Sequence, residues 1–305
     1  MSNSKFQFVK LDQSVTEHIK APQYSYWKSV FSKFFGSKIT IIMFLVALFI
    51  VLMVTIQPML SGYDPTVNKN VNDLSLRFIR PNAEFWFGTD GLSNSLWDVV
   101  WLGARNSLII ASIATLITTV LGVIVGAFWG YSKKADKYMI ELYNVVANVP
   151  FTLLVTVLMY ILGRGMWQLV FALSVTSWLS TAYFIRIQVM ILRDREYNLA
   201  SRCLGTPKSR IIKNNILPYL ISVIVTSVSR DVPMFISFEV FLSFLGLGVG
   251  EKVASLGRTI SDNRVFLAQT PYLFWIPVAI SAVITITLYI VGQKLADASD
   301  PKTHM

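Results

Sequence analysis

Long uncharged stretches alternate with short charged ones along this chain. Residues 39–59, 108–131, 142–163, 165–185 and 265–293 contain no Asp, Glu, Lys or Arg. A run of about 18 apolar residues is long enough to cross the hydrocarbon core of a bilayer as a helix. A further stretch, 217–244, is equally apolar but holds Arg230, Asp231 and Glu239. Each span must satisfy its own backbone hydrogen bonds in lipid, which selects the helix. The pattern therefore predicts an all-α integral membrane protein with about six transmembrane helices. They are placed at 39–59, 108–131, 139–163, 165–187, 217–244 and 268–293, a multi-pass arrangement in the cell membrane.

The segments between these spans have their own character. Residues 1–38 read as a cytoplasmic tail, basic and interrupted by Tyr24, Tyr26, Trp27, Phe31, Phe34 and Phe35. That composition suits a helix lying on the membrane surface. Residues 60–107 form an outer segment, polar at first. From Ser95 it carries Trp97, Val100, Trp101 and Ala104 at helical spacing, which predicts an interfacial helix packed on the bundle. Residues 132–137 read as a short turn, 188–216 as the longest cytoplasmic loop, 245–264 as a second outer loop and 294–305 as a cytoplasmic tail. Trp129, Trp167 and Trp275 fall near span ends, where tryptophan anchors helices in the interface.

Charge adds a direction. The chain is 54% hydrophobic and 14% charged, with 27 Lys and Arg against 17 Asp and Glu; soluble domains carry roughly 25% charged residues. With the amino terminus inside, 18 cationic residues fall on the inner side and eight outside, with Arg230 inside a helix. Short cytoplasmic loops collect Lys and Arg, so the excess reads as topology with both termini inside, and not as a nucleic-acid surface. The first apolar run lies too far from the amino terminus, and is too long, for a cleaved signal, so it reads as a retained helix. Cys203 is the only cysteine, so no intrachain disulfide is possible.

The residues for several chemistries are missing. Gly-Lys never occurs, so no phosphate-binding loop of the G-x-x-x-x-G-K-[ST] kind is present and the chain does not hydrolyse ATP by that route. The only histidines, His18 and His304, lie in the tails, leaving no histidine for a metal site or a nucleophilic dyad within the membrane. No paired-carboxylate site is evident. The expectation is a non-catalytic chain with no metal site.

Two places hold polar residues with a purpose to explain. Arg230 and Asp231 sit mid-span, where charges are costly and face a cavity or a partner. Neighbours on a helix point about 100° apart, so a mutual ion pair is not expected. These two and Glu239 are the candidates for a translocation path, their alternative being a salt bridge to a partner subunit or, for Glu239, a structural role. Pro233 nearby is expected to kink the helix. The second place is the inner loop, which runs from Glu196 through Ala200, Ser201, Arg202, Gly205, Thr206, Pro207 and Lys208 to Leu217 and Pro218. Gly205 ends a short helix there. The loop is basic, amphipathic and partly apolar, which suits a docking surface for a partner.

This loop resembles the coupling motif of bacterial ABC importer permeases: Glu-Ala-Ala, three residues, Gly, and Leu-Pro about a dozen residues on. Gly205 sets the register, Ala200 and Ser201 match the small pair, and Leu217-Pro218 matches the end. Leu199 stands where the motif has its glutamate, with Glu196 one turn earlier as a candidate substitute. Phe87-Gly88-Thr89-Asp90, followed by Gly103-Ala104-Arg105, is similar to the segment before the second helix of peptide-importer permeases. Ser93-Asn94-Ser95 replaces the usual Gly-Arg-Asp between them. Trp178 and Arg186 resemble the entry to the coupling loop, with Tyr183 at a frequent arginine position. Glu239 to Gly248 and Ser255-Leu256-Gly257 resemble the end of the fifth helix and the loop after it.

The chain is thus similar to the C-type permeases of oligopeptide importers. That resemblance implies the type I importer permease fold and alternating access driven by ATP. It implies a homologous B-type permease, two cytoplasmic ATPase subunits and an extracellular lipid-anchored peptide-binding protein as partners, with peptide as substrate. It implies no cofactor on this chain, ATP and Mg being used by the ATPases. It gives the coupling contact to Ala200, Ser201, Gly205, Thr206 and Pro207, with Glu196, Arg202 and Lys208 at the rim. Two alternatives remain: the same machine for dipeptides, metal chelates or signalling peptides, and a stand-alone secondary transporter or channel that works without ATPases.

Overall fold

The structure, a computed structural model, describes residues 25–67 and 73–299, and nearly all of its regular structure is helical. Helix α1 (Tyr26–Phe34) is followed by α2 (Lys38–Ser61), α3 (Leu96–Tyr131), α4 (Lys133–Ala147), α5 (Phe151–Leu162) and α6 (Met166–Arg193). Then come α7 (Glu196–Cys203), α8 (Lys208–Ile211), α9 (Ile221–Phe244), α10 (Leu256–Asn263) and α11 (Tyr272–Ser299). Five helical stretches are long and apolar enough to cross a membrane: α2, α3, α6, the continuous run Lys208–Phe244 and α11. A sixth is made if α4 and α5 together form one bent span.

The centre of the bundle is the pair α3 and α6. Gly122, Gly126 and Gly130 recur every fourth residue, so they line one face of α3. A Cβ on Gly126 would lie 2.5 Å from the Ala182 carbonyl oxygen, and one on Gly130 would lie 2.6 Å from that of Arg186. Small residues in this spacing let helix backbones touch, which is how helices gain packing contacts where no hydrophobic difference from lipid exists. Helix α9 joins the pair, and Phe235, Ile236 and Leu242 are fully buried with Ile110, Ala111 and Leu173. Helix α2 is peripheral, with only 17% of its most apolar window buried. Its outward side chains suit acyl chains. At the other edge α1 is pinned to the end of α11 by Val30, Phe34 and Ala298, and by Tyr26 Oη donating to Ser299 O at 2.7 Å.

The helix boundaries differ from the sequence pattern in four places. The interfacial helix expected from Ser95 is the first part of α3: with no proline between 96 and 131, one helix of 36 residues carries through. The turn expected at 132–137 is already helical, because the Ser132 hydroxyl accepts from Ala135 N at 3.4 Å and caps α4 at its start. The span expected at 139–163 is broken into α4 and α5, bent by 81°. Pro150 lacks an N–H and forces the preceding residue out of the helical region, which ends α4. Before α9, a π-helical turn at Ile212–Ile216 and a 3₁₀ turn at Leu217–Leu220 carry the chain past Pro218. The wider and tighter turns absorb the hydrogen bond that proline cannot make. The amino-terminal tail before residue 25 lies outside the described residues, and 294–299 extend α11.

Candidate functional site

Two clusters of polar residues sit at opposite ends of the central helices. The first joins the ends of α3 and α6 to the loop that follows. Arg193, at the end of α6, is buried and donates through Nη1 to Gly130 O at 2.9 Å and through Nη2 to Asp194 Oδ2 at 3.0 Å. Arg202, in α7, donates to Arg193 O at 2.7 Å and lies over the Tyr131 ring at 6.0 Å. Asp194 is held below the usual carboxylate range, first by its hydrogen bond from Arg193, with Arg202 adding to it. Asn198 is fully buried; its amide donates to Leu192 O at 2.9 Å, and its oxygen accepts from Asn215 Nδ2 at 3.0 Å. Asn215 also reaches Ser201 Oγ at 3.3 Å. Helix α7 is thereby wired to the end of α6 and to the turn that leads into α9. A push on α7 reaches three helices through short, directed bonds.

The outward side of this loop is open. Glu196, Ala200, Arg202, Gly205, Pro207, Lys208 and Pro218 are exposed, while Ser201, Thr206 and Leu217 are half-buried. Gly205 has φ +77 and closes α7, its N–H donating to Arg202 O at 3.0 Å and Thr206 N donating to Ser201 O at 3.1 Å. The left-handed conformation favours glycine because it lacks a Cβ. Leu204 beside it is 86% exposed, and Leu199 and Tyr197 are open as well. Leu199, standing where the motif has glutamate, offers apolar surface, and Glu196 forms no ion pair among the described residues.

Arg186 lies on α6 two turns before the loop. Its Nη2 donates to Asp136 Oδ2 at 2.9 Å, and Nε pairs with Oδ1 of the same carboxylate. Asp136 also accepts from Trp129 Nε1 at 2.8 Å. The guanidinium stands 5.4 Å from the centre of the Trp129 ring and 5.5 Å from that of Tyr183, which stacks on Tyr143. Trp129 is therefore a buried partner of Asp136, 1% exposed, and not an interfacial anchor; Trp167 and Trp275 are exposed. A lone tryptophan near a span end cannot reveal this, since its partner comes from the next helix.

At the other end, Glu239 is 0% exposed. Its carboxylate accepts from Ser107 Oγ at 2.8 Å, Ser243 Oγ at 2.9 Å and Ser255 Oγ at 2.6 Å. Ser107 Oγ in turn accepts from Leu256 N at 3.1 Å. Asn106 Nδ2 donates to Ala254 O at 2.7 Å. A Cβ on Gly103 would meet the Ser255 carbonyl carbon at 2.9 Å, and one on Gly257 would meet Val240 Cα at 2.6 Å. Three stretches singled out in the sequence, around 103–108, 239–248 and 255–257, thus meet at one buried carboxylate. Glu239 locks α10 onto α3 and α9. No side of it is open in this structure, which fits the structural role given as its alternative. Ala104 is buried beside this joint and Arg105 half-buried.

Phe87-Gly88-Thr89-Asp90 builds the adjoining loop. Thr89 Oγ1 donates to Leu76 O at 2.6 Å and accepts from Ile79 N at 2.9 Å. Gly88 lets Tyr272 approach, and the tyrosine hydroxyl contacts Ile79 O at 3.0 Å and Thr89 O at 3.1 Å. Asp90 accepts from Leu92 N and Asn94 N, both at 2.8 Å, and burial raises its carboxyl above the usual range. Asn94, in the stretch that departs from the usual Gly-Arg-Asp, thus takes a structural part.

Arg230 and Asp231 pair with each other, Nε to Oδ1 at 3.3 Å, against the expectation from their helical angle. The arginine side chain is long enough to bend back from 57% exposed toward an aspartate that is 3% exposed. Among the described residues Asp231 Oδ2 has no hydrogen-bond partner, and neither has the buried hydroxyl of Ser227 one turn earlier. Arg230, over the Phe184 ring at 5.9 Å, is the member of this group that faces outward.

A bundle of this design, with a wired loop at one end and a locked loop at the other, is that of an integral membrane protein. The chain belongs to the family described as binding-protein-dependent transport system inner membrane components, which matches residues 119–305. Residues 25–81 match the N-terminal transmembrane domain of oligopeptide transport permease C. The chain is 52% identical over 304 residues to the oligopeptide transport system permease protein AmiD of Streptococcus pneumoniae, covering 100% of this chain and 99% of the relative. It is 32% identical to the oligopeptide permease OppC of Bacillus subtilis over 94% of this chain and 93% of the relative. The dipeptide permease DppC of the same organism is 33% identical, over 94% and 89%. Among solved structures, the inward-facing methionine ABC transporter MetNI shares the fold at TM-score 0.53 and 16% identity, covering 66% of this chain and 96% of that one.

Proposed function

We propose that this chain is one of two permease subunits of an ATP-driven oligopeptide importer. The observation that carries it is the exposed α7 loop, held by Arg193, Arg202, Asn198 and Asn215 to the ends of the central helices. A loop of that construction can pass a movement to the helices it is bonded to. The relatives named as oligopeptide permeases supply the cargo class. In this reading both termini and α7 lie in the cytoplasm. Two ATPase subunits seat on Ala200, Ser201, Gly205, Thr206 and Pro207, with Glu196, Arg202 and Lys208 at the rim. A homologous B-type permease completes the pathway, and an extracellular lipid-anchored binding protein delivers peptide to the outer loops. ATP and Mg bind the ATPases, so this chain carries no cofactor and no catalytic step. Closure of the ATPases moves α7, and the bundle opens on the other face, as alternating access requires. Arg230 lies along the path and meets the peptide.

The test is uptake of labelled dipeptides through octapeptides in a strain deleted for this gene and lacking other peptide importers. Wild-type complementation is expected to restore uptake of the longer peptides. Gly205→Val is expected to leave uptake at the level of the deletion strain while the chain still reaches the membrane. A Cβ there would meet nothing within 4 Å among the described residues, but at φ +77 a β-branched residue is strained, so the substitution reshapes the tip of the loop that a partner would contact. Unchanged uptake of every peptide in the deletion strain would refute the cargo, and full rescue by Gly205→Val would refute the coupling contact.

A further inference from the structure

The loop and the span ends border an open hollow of about 380 Å³. Lys133, Lys134, Arg193, Arg202 and Lys208 line it, with Tyr131, Ser132 and Thr206. Five cations face one cavity, and the carboxylate paired with any of them is Asp194, which Arg193 and Arg202 share. Lys133, Lys134 and Lys208 form no ion pair among the described residues. A second observation points to a ligand. Tyr131 is 7% exposed, and its phenol has no hydrogen-bond partner among the described residues. A buried donor is costly to leave unpaired, so such groups ordinarily have a partner.

The position of the hollow narrows the ligand. Tyr131 is the last residue of α3 and Arg193 the last of α6, and the two meet through the bond from Arg193 to Gly130 O. The uncharged run 108–131 ends at Tyr131 and Lys133 and Lys134 follow at once, which puts this rim of the hollow where a span leaves the hydrocarbon. That is the depth of phospholipid headgroups. Basic pockets between span ends select anionic headgroups, whose phosphate oxygens take several N–H and O–H donors at once. A soluble phosphate would meet the same donors but has no acyl chains to hold it at this depth.

We infer that the hollow bounded by Tyr131, Lys133, Lys134, Arg202 and Lys208 binds the phosphate headgroup of an anionic phospholipid. The lipid bridges the end of α3 and the start of α4 to the loop after α7. It therefore ties the membrane surface to the element proposed to drive transport. The site goes beyond the transport reading and borders the proposed ATPase contact, with which it shares Arg202, Thr206 and Lys208.

The experiment uses the full chain, purified in neutral detergent with the subunits that co-purify with it and stripped of lipid. Phosphatidylglycerol, phosphatidylcholine and inorganic phosphate are titrated while the thermal midpoint is followed, and bound lipid is counted by native mass spectrometry. Phosphatidylglycerol is expected to bind and raise the midpoint, with phosphatidylcholine and phosphate inert at equal concentration. The triple variant Lys133→Gln, Lys134→Gln, Lys208→Gln is expected to bind phosphatidylglycerol about a hundredfold more weakly, from roughly fivefold for each lysine near a headgroup. Tyr131→Phe, which keeps the packing, is expected to weaken it severalfold. The control triple Lys28→Gln, Lys38→Gln, Lys294→Gln removes equal charge elsewhere and is expected to bind as wild type. Equal loss in the control, unchanged binding in the site variants, or equal protection by inorganic phosphate would each overturn the headgroup assignment. Lipid binding is the readout, so failure here leaves the uptake test untouched.

Discussion

Gly126→Val is expected to keep α3 and α6 from closing, with little folded protein recovered from the membrane. A Cβ at this position would stand 2.5 Å from the Ala182 carbonyl oxygen and 2.9 Å from Ile185 Cβ. The nearest atom is backbone, so no rotamer change relieves the contact. Overpacking typically costs 1–3 kcal/mol, and valine on a backbone-to-backbone contact belongs above about 3 kcal/mol. The helices must separate, and the separation propagates to Gly122 and Gly130 on the same face. Size-exclusion profile and thermal midpoint in detergent measure the effect. Leu121→Val on the exposed side of α3, where Leu121 is 43% exposed, is expected to behave as wild type. A monodisperse Gly126→Val protein with an unchanged midpoint would refute this packing.

Glu239→Ala is expected to release the outer loop. The substitution leaves Ser107, Ser243 and Ser255 without the acceptor that all three share. Buried donors left unpaired cost about 1–3 kcal/mol each, and relaxation and water entry recover part of it, so about 3 kcal/mol is expected in all. Glu239→Gln keeps one acceptor oxygen and is expected to lose roughly half as much. The measurement is protease sensitivity of residues 251–263 together with the thermal midpoint. Cleavage should rise in Glu239→Ala while α7 stays protected as in wild type. If Glu239 instead served only a transport path, both variants would keep the wild-type midpoint and protease pattern.

The two joints also explain why the sequence was legible in some places and silent in others. The stretches around Gly103, Glu239 and Ser255 can each be recognised alone, yet nothing in their spacing says that they meet. Ser107 and Glu239 are 132 residues apart, and Ser107 and Leu256 are 149 apart. A carboxylate mid-span reads as functional because charge in lipid is costly, and that inference points equally to a path and to a buried clasp. Only the packing of α10 over α3 and α9 separates the two. Asn198 and Asn215 carried no signal at all, since an asparagine in a polar loop is ordinarily solvated. Asp136 was hidden because its segment reads as a turn, and Trp129 because its partner is on the next helix.

What the sequence by itself determined is whatever one segment decides alone. Lipid offers no backbone partners, so an uncharged run of sufficient length must be a helix wherever it sits. Gly205 must end α7 because the left-handed residue is chosen by local sterics, and Pro150 must break a helix for want of an N–H. Tertiary structure decided everything that depends on two segments meeting. It placed Glu239 inside a serine cage, turned Trp129 inward onto Asp136 and gathered five cations around Tyr131. It also joined Arg230 to Asp231 by a side chain long enough to cancel the helical angle. In each case the energy lies in a hydrogen bond or ion pair between groups distant in the chain or set by a side-chain conformation. Local periodicity carries no record of either.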